Sequence, residues 1–286
     1  MDSFSNANEP PTGNGPAFLN CTPNLERGRI AYNVAVNSLR GLPEPERRDF
    51  RIGDTRAVLC GPGQSLKPSL DQVRSLAAKG CPIWALKGTW RTLAEAGIPV
   101  AAATLLDGHH SQISYVKGSS PGMRWYLASQ CDPGAFDALD PSSITIWHAP
   151  SPEAAGMFPA RCSGFVGGAG AASRTLRIMA LEGREDIELF GVDCSWEPER
   201  PSHCYDLARG ENRPAFHECD GRAFLTTESM MSEYFDIVNL FLADNGLALR
   251  VHGDAMLAHT IRYIMRIKAE TGDPRFDTVE ESPLAA

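Results

Sequence analysis

The stretch Ala57–Leu66, with the sequence AVLCGPGQSL, decides the fold. It begins with four apolar residues, continues through Gly61 and Gly63, and leads into a segment with helical periodicity. A strand that ends in glycines and opens into a helix can bring backbone N–H groups close to a phosphate. We therefore expect Gly61, Gly63 and Ser65 to bind a nucleotide.

A second glycine-rich junction, Gly164–Ala172 (GFVGGAGAA), precedes the strongest helical pattern of the chain. Gly167 and Gly168 are its candidates for nucleotide binding. Neither junction is a standard fingerprint, because no Gly-Lys-Ser/Thr ending follows and Leu66 replaces the last glycine of the dinucleotide pattern. An ordinary P-loop is thereby excluded. Two such junctions in one chain indicate a nucleotide site at the rim of an α/β sheet.

Length and composition fit one large α/β domain, or one domain with appendages. The chain has 286 residues, of which 43% are hydrophobic and 22% charged. We expect a flexible lead over residues 1–24, the nucleotide-binding domain over 25–268 and an acidic tail over 269–286. The net charge of −8 argues against a nucleic-acid partner, since such surfaces are normally basic.

Two features of the sequence suggest where the protein resides. The eight cysteines have no paired spacing, which is typical of reduced thiols in a cytoplasmic protein. Apolar stretches of roughly 18 residues, the length needed to span a membrane, are absent from the sequence. We expect a cytoplasmic protein without a membrane partner, and the sequence leaves its oligomeric state open.

Short apolar runs alternate with helical segments between residues 55 and 195. This alternation predicts a Rossmann-like, doubly wound, mostly parallel sheet, with a C-terminal helical and hairpin extension. Predicted strands cover 56–60, 82–86, 99–106, 125–128, 144–148, 187–192 and 247–251. Predicted helices cover 68–79, 89–96, 133–139, 169–181, 229–245 and 257–268. A loop is expected over 195–215 and a hairpin over 215–226.

Polar residues follow most of the predicted strands, at the rim where open parallel sheets bind ligands. Directly after successive strands come Lys87, Asp107, Ser129 and Asp193. Ser129 is a further candidate for nucleotide binding. Asp107 and Asp193 are candidate catalytic residues and candidate magnesium ligands, because hard oxygen ligands suit a magnesium ion that bridges phosphates. An aspartate that caps the next helix is the alternative for both.

Histidines supply the remaining candidates for acid–base chemistry. His203, in the polar loop over 195–215, is a candidate catalytic acid or base, and an exposed loop histidine is the alternative. His109 and His110 follow Asp107 and are weaker candidates.

Several segments together resemble a known family in their order and spacing. They are 60–66, 97–99 leading to Asp107, 126–133, 147–149, 167–176, 189–195 and 203–205. They resemble the 6-hydroxymethylpterin diphosphokinase MptE-like family, which includes the flagellar motility accessory factor glycosyltransferases and is distantly similar to bacterial sialyltransferases. The resemblance covers about residues 25–265. It implies a Rossmann-like fold that binds a nucleotide near the glycine turns and Asp193.

The resemblance leaves the reaction and the acceptor open. One departure concerns Asp107, which is followed by Gly108-His109-His110 instead of the Arg-Pro-Glu-Asn-like run of the family. The first hypothesis is a magnesium-dependent transferase that moves diphosphate from ATP to a small hydroxymethyl, pterin-like acceptor. The alternative is a glycosyltransferase that uses a nucleotide sugar, with His203 or an aspartate as the base. A third possibility is a nucleotide-binding protein without catalysis.

Overall fold

The computed structural model describes residues 27–46, 55–151, 164–196, 214–243 and 246–272. The strands are β1 (Arg56–Cys60), β2 (Ile83–Leu86), β3 (Ala102–Leu105), β4 (Arg124–Ala128), β5 (Ile144–Trp147), β6 (Asp186–Phe190), β7 (Pro214–Cys219), β8 (Arg222–Thr227) and β9 (Ala248–Val251). The α-helices are α1 (Arg27–Ser38), α2 (Leu70–Ala78), α3 (Thr89–Glu95), α4 (Ile113–Val116), α5 (Pro133–Asp137), α6 (Ala171–Leu181), α7 (Glu228–Leu242) and α8 (Met256–Thr271). Short 3-10 turns cover Gln64–Ser69, His110–Gln112 and Pro141–Ser143.

Seven parallel strands form the central sheet, in the order β5-β4-β3-β2-β1-β6-β9. Strands β2 to β5 are added on one side of β1, whereas β6 and β9 lie on the other side. The strand order therefore reverses between β1 and β6, which is where doubly wound sheets open a crevice for ligands. The predicted Rossmann-like α/β fold is confirmed.

The strands form the core because their side chains are apolar on both faces, as a parallel sheet covered by helices requires. Trp84 of β2 stacks on Tyr126 of β4, with ring centroids 4.7 Å apart. Helix α6 packs against β2 and β3. The predicted hairpin is confirmed as the antiparallel pair β7–β8, and helices α7 and α8 pack on it.

Helix α1 was not predicted from the sequence, for a physical reason. Its buried stripe consists of Ile30, Asn33, Val34 and Asn37, so two of the four buried positions are polar. The asparagines are buried because they donate hydrogen bonds to carbonyl groups after β3 and β4. Asn37, for example, donates to the carbonyl oxygens of Ser129 at 2.9 Å and Cys131 at 2.8 Å. Polar residues on the buried face conceal the helical periodicity.

A buried carboxylate joins the edge strand β9 to β1 and β6. Glu188 of β6 is 3% exposed and accepts hydrogen bonds from Arg56 and from His252 Nε2, the latter at 2.8 Å. The His252 ring stacks on Phe190, with centroids 4.1 Å apart. Burial alone would raise the pKa of Glu188, but the bonds from His252 and Arg56 outweigh it and lower the pKa to about 2.

Several expectations fall on parts of the chain outside the described residues. They are the N-terminal lead, His203 with most of its loop, and the tail beyond residue 272. Helix α8 continues to Thr271, three residues beyond the expected end of the domain at residue 268. Among the described residues, no helix combines the length and apolar character needed to cross a membrane.

Candidate active site

The loops that follow β1 and β6 touch each other at the reversal of strand order. The Gly61 N–H donates to the Phe190 carbonyl and the Gly63 N–H to the Gly191 carbonyl, both at 2.7 Å. These bonds extend the β1–β6 pairing beyond the ends of both strands. The two N–H groups were expected to be bare and to face a phosphate, and they are already bonded within the protein.

Glycine is required here because the two backbones approach so closely. A Cβ atom at Gly61 would lie 2.5 Å from the Gly191 carbonyl oxygen, and one at Gly63 would lie 2.6 Å from the same oxygen. Gly191 has a φ of +66°, which other residues adopt only with strain. The glycines thus serve the contact between two loops. The assignment of Gly61 and Gly63 to a nucleotide stays a prediction.

Asp193 connects the loop after β6 to the loop after β1 through hydrogen bonds with Ser65. Its carboxylate accepts hydrogen bonds from the Ser65 N–H, at 3.0 Å, and from the Ser65 hydroxyl. Asp193 is 7% exposed, and burial raises the pKa of its carboxyl group, while the two bonds from Ser65 oppose that increase. Asp193 lies at the sheet rim directly after β6, and the structure brings it into contact with Ser65 after β1. Whether it takes part in catalysis stays a prediction.

A lysine and an aspartate form a second cluster, at the ends of β2 and β3. Lys87 Nζ lies 2.6 Å from Asp107 Oδ2, and the two side chains are 26% and 17% exposed. Lys87 has a φ of +52°, an uncommon conformation for a residue other than glycine. Its backbone N–H is held by the Thr104 carbonyl at 2.9 Å. The fold therefore fixes the Lys87 ammonium group at the rim of the sheet. Residues other than glycine that adopt a positive φ, as Lys87 does, are concentrated at functional sites.

Buried hydroxyl groups occur on the segments that flank this ion pair. The side-chain oxygens of Thr89, Thr104 and Ser129 have no hydrogen-bond partner among the described residues, and each side chain is at most 1% exposed. Unpaired buried hydroxyls are costly, so such groups need an explanation, of which a bound ligand or water is the usual one. Ser129 was predicted to bind a nucleotide, and its orphan hydroxyl is compatible with that role.

The N-terminus of α6 is occupied by carboxylates of α7. Glu233 accepts hydrogen bonds from the N–H groups of Ala172, at 2.5 Å, and Ser173, at 3.3 Å. Asp236 accepts from the Ala169 N–H at 2.9 Å and pairs with Arg177 at 2.7 Å. These carboxylates satisfy N–H groups at the start of α6, next to Gly167 and Gly168, which the sequence assigned to a nucleotide.

Burial raises the pKa of Glu233 above its ordinary value. The hydrogen bonds from the Ala172 and Ser173 N–H groups and the more distant positive charge of Lys87 lower the pKa, but they do not outweigh burial. For Asp236 burial acts in the same direction, but the bonds from Arg177 and Ala169 outweigh it and lower the pKa. Lys87 thus acts on α7 as well as on Asp107. The ion pair and the N-terminus of α6 belong to one electrostatic neighbourhood.

The predicted site residues fall into separate groups. Gly61, Gly63, Ser65 and Asp193 lie together at the β1–β6 reversal. The Gly168 carbonyl accepts a hydrogen bond from Arg174 Nε at 2.9 Å within the α6 junction, whereas Gly167 is exposed. His203 lies outside the described residues.

The two predicted magnesium ligands are not brought together. Asp107 follows β3 and Asp193 follows β6, so two strands separate them, a distance of about 14 Å at ordinary strand spacing. Among the described residues, no group of three His, Cys, Asp or Glu side chains is placed to hold a metal ion. Lys87 occupies one side of Asp107, and Ser65 occupies both oxygens of Asp193. The carboxylates of these two residues therefore do not fit a shared magnesium ion.

Sequence reasoning did not assign Lys87 and Glu233 to the site. For Lys87 a signal exists, since it directly follows a predicted strand. For Glu233 no local signal exists, because it lies 61 residues from Ala172 in the middle of an amphipathic helix. Its role depends on how α7 packs on α6.

Among solved structures, the chain resembles the MAf glycosyltransferase from Magnetospirillum magneticum AMB-1, with a TM-score of 0.59 and 14% sequence identity. The match covers 89% of this chain and 44% of that protein, so the chain spans under half of its length. At this identity the likeness shows a shared fold. No protein-family model and no curated protein matches the chain. The likeness gives no support to the diphosphokinase assignment, which stays a prediction.

Proposed function

We propose that this protein is a glycosyltransferase that takes a nucleotide sugar as its donor. The observation that carries the proposal is the Lys87 ammonium, held 2.6 Å from Asp107 at the carboxyl edge of the sheet. The fold shared with a MAf glycosyltransferase over 89% of this chain supports it. A placed cation suits a reaction in which a phosphate leaves with an additional negative charge.

In this reaction, the residues at the carboxyl edge of the sheet have different roles. When the bond between the anomeric carbon and the donor phosphate breaks, its electron pair leaves with the nucleotide. Lys87 neutralises that charge, while Asp107 fixes the position of the ammonium. The orphan hydroxyls of Thr104 and Ser129 are candidate hydrogen-bond donors to the nucleotide.

Diphosphate transfer from ATP has less support from the geometry. That reaction relies on magnesium to bridge the β- and γ-phosphates, and magnesium prefers carboxylate ligands. Asp107 and Asp193 lie apart and both are engaged with other side chains. A dependence on magnesium and ATP stays a prediction, which the experiment below also tests.

Ligand binding and turnover separate the candidate functions. The melting temperature of the protein is measured with uridine-, guanosine- and cytidine-linked sugars and with ATP, each with and without magnesium. A donor that binds the folded state should raise the melting temperature, and the increase should grow with the logarithm of the donor concentration above the Kd. Release of the free nucleotide from the same donors is then followed, with water or an added glycan as acceptor.

We expect a nucleotide sugar, and not ATP with magnesium, to raise the melting temperature and to be turned over. The reverse pattern would replace our proposal with the diphosphokinase. Binding of a nucleotide without any turnover would favour a non-catalytic protein.

A further inference from the structure

A histidine–aspartate pair lies beside the proposed donor site, after β3 and β4. His110 Nδ1 is 3.1 Å from Asp132 Oδ2. The other carboxylate oxygen of Asp132 accepts the Gly134 N–H, at 2.9 Å, as the N-cap of α5. The start of α5 therefore holds Asp132 through Oδ1, the oxygen that does not contact His110. The Asp132 side chain is only 17% exposed.

This arrangement sets the tautomer of His110. A carboxylate can only accept a hydrogen bond, so Nδ1 of the histidine carries the proton. In the neutral ring, the lone pair then lies on Nε2, at the opposite side of the imidazole. The His110 side chain is 76% exposed, so Nε2 is accessible to a second molecule. A base held in place by a third group is the pattern of general-base catalysis.

His110 also lines a cavity. The cavity is an open surface depression with a volume of about 530 Å³, lined by residues of α4, α5 and the turn before α4. Ser111, Ser114 and Lys117 contribute polar groups to its wall, and Ile113 contributes an apolar surface. Hydroxyl groups and a cation beside an apolar patch suit a polyhydroxylated molecule such as the end of a glycan.

The cavity is close to the donor cluster along the chain. Asp107, the partner of Lys87, precedes His110 by three residues, so their Cα atoms lie within about 11 Å of each other. The backbone thus keeps His110 and the Lys87–Asp107 pair on neighbouring parts of the same sheet edge.

We propose that this cavity is the acceptor site and that His110 is the general base, with Asp132 as its positioning residue. The proposal rests on the proposed function. The acceptor O–H gives its proton to Nε2 of His110, and its oxygen forms a bond to the anomeric carbon. The bond from that carbon to the donor phosphate breaks, and the electron pair leaves with the nucleotide.

The test uses the full chain and the donor that the binding panel identifies, with water and with an added glycan as acceptors. His110→Gln removes the base and should lower nucleotide release at least about 100-fold. Donor binding should not change, because Lys87, Thr104 and Ser129 are intact. His217→Gln is the control, since His217 lies on the hairpin strand β7, is not among the residues that line the cavity and should retain full activity.

Asp132→Asn tests the positioning role without removing the cap. The asparagine oxygen still accepts the Gly134 N–H, while its NH₂ group can only donate to Nδ1 of His110. The proton then moves to Nε2, which can no longer act as a base. We expect a comparable loss of turnover, unchanged donor binding, and a reversed tautomer of His110 in ¹⁵N NMR spectra.

The outcomes distinguish the two proposals. Turnover within about threefold of the native protein in both His110→Gln and Asp132→Asn would overturn the acceptor site and leave the glycosyltransferase standing. An Nε2–H tautomer of His110 in the native protein would have the same consequence. A native protein that neither binds nor consumes any nucleotide sugar would overturn the proposed function, and the role of His110 with it.

Discussion

The carboxylate of Asp193 accepts two hydrogen bonds from Ser65, which is 128 residues away in the chain. One bond comes from the Ser65 backbone N–H at 3.0 Å and the other from its hydroxyl. Together they hold the loops after β1 and β6 against each other at the reversal of strand order. The fixed cation Lys87 lies at the next pair of strands.

Asp193→Ala should lower the stability of the protein. The substitution leaves two donors of Ser65 without an acceptor in a nearly buried place, which costs about 2 kcal/mol. Urea unfolding of the native protein and the variant measures the difference. The control is Asp71→Ala, at a carboxylate that is 93% exposed, and it should change the free energy of unfolding by under about 0.5 kcal/mol. Equal stability of Asp193→Ala and the native protein would mean that the contact between the loops is not stabilising.

Gly63→Ala should be destabilising for a steric reason. The added methyl group would lie 2.6 Å from the Gly191 carbonyl oxygen and closer still to the Asp193 carboxylate. Forcing these loops apart should lower the free energy of unfolding by about 3 kcal/mol. Gly28→Ala in α1 is the matched control, because no atom lies within 4 Å of the new methyl group there, and it should be neutral or stabilising by up to about 1 kcal/mol. Similar urea midpoints for the two variants would contradict this account.

Glu188 should make stability dependent on pH in the acid range. The pKa of Glu188 is about 2 in the folded protein, compared with an ordinary 4.5. A lowered pKa stabilises the folded state above pH 4.5, and this stabilisation is lost as the pH falls towards 2. The difference corresponds to about 3 kcal/mol. Urea unfolding at several pH values should show the native protein losing its advantage over Glu188→Gln across this window. If the difference in free energy of unfolding between the native protein and Glu188→Gln did not change with pH, the prediction would be wrong.

Lys87→Met should slow sugar transfer by at least about 100-fold, because the leaving phosphate loses its cation. The methionine keeps much of the length of the side chain, so the fold should persist. Nucleotide release from the preferred donor is the measurement, and circular dichroism checks the fold. Lys79→Met, at an exposed lysine that ends α2, is the matched control and should be fully active. If both variants turn the donor over at the native rate, Lys87 does not stabilise the leaving group.

Cys131 and Cys194 should resist alkylation in the folded protein. Burial raises the pKa of both thiols well above the ordinary value, so neither forms the reactive thiolate at neutral pH. Peptide mass spectrometry after a short exposure to iodoacetamide should find them unmodified in the native protein and modified in urea. Cys81 is only partly buried and serves as the internal comparison. Rapid native labelling of Cys194 would show that the loop after β6 opens readily.

The strands and most helices could be predicted because their signals are local. β1 has the predicted bounds, and helix α3 differs from its predicted bounds by one residue. Helix α1 was missed because Asn33 and Asn37 occupy its buried face, where only the carbonyl groups of distant loops make them acceptable. Predicted strand 99–106 was too long, since β3 covers only Ala102–Leu105.

By itself, the sequence determined that the chain forms a parallel α/β sheet with polar residues and glycines at one edge. Apolar runs and glycine stops act over a few residues and are therefore visible in the sequence. Only the tertiary structure decided which edge residues meet: Asp193 with Ser65, Lys87 with Asp107, Glu233 with the start of α6. The physical reason is that strand order and helix packing set these long-range partners, and the partners decide whether a glycine N–H or a carboxylate is available to a ligand.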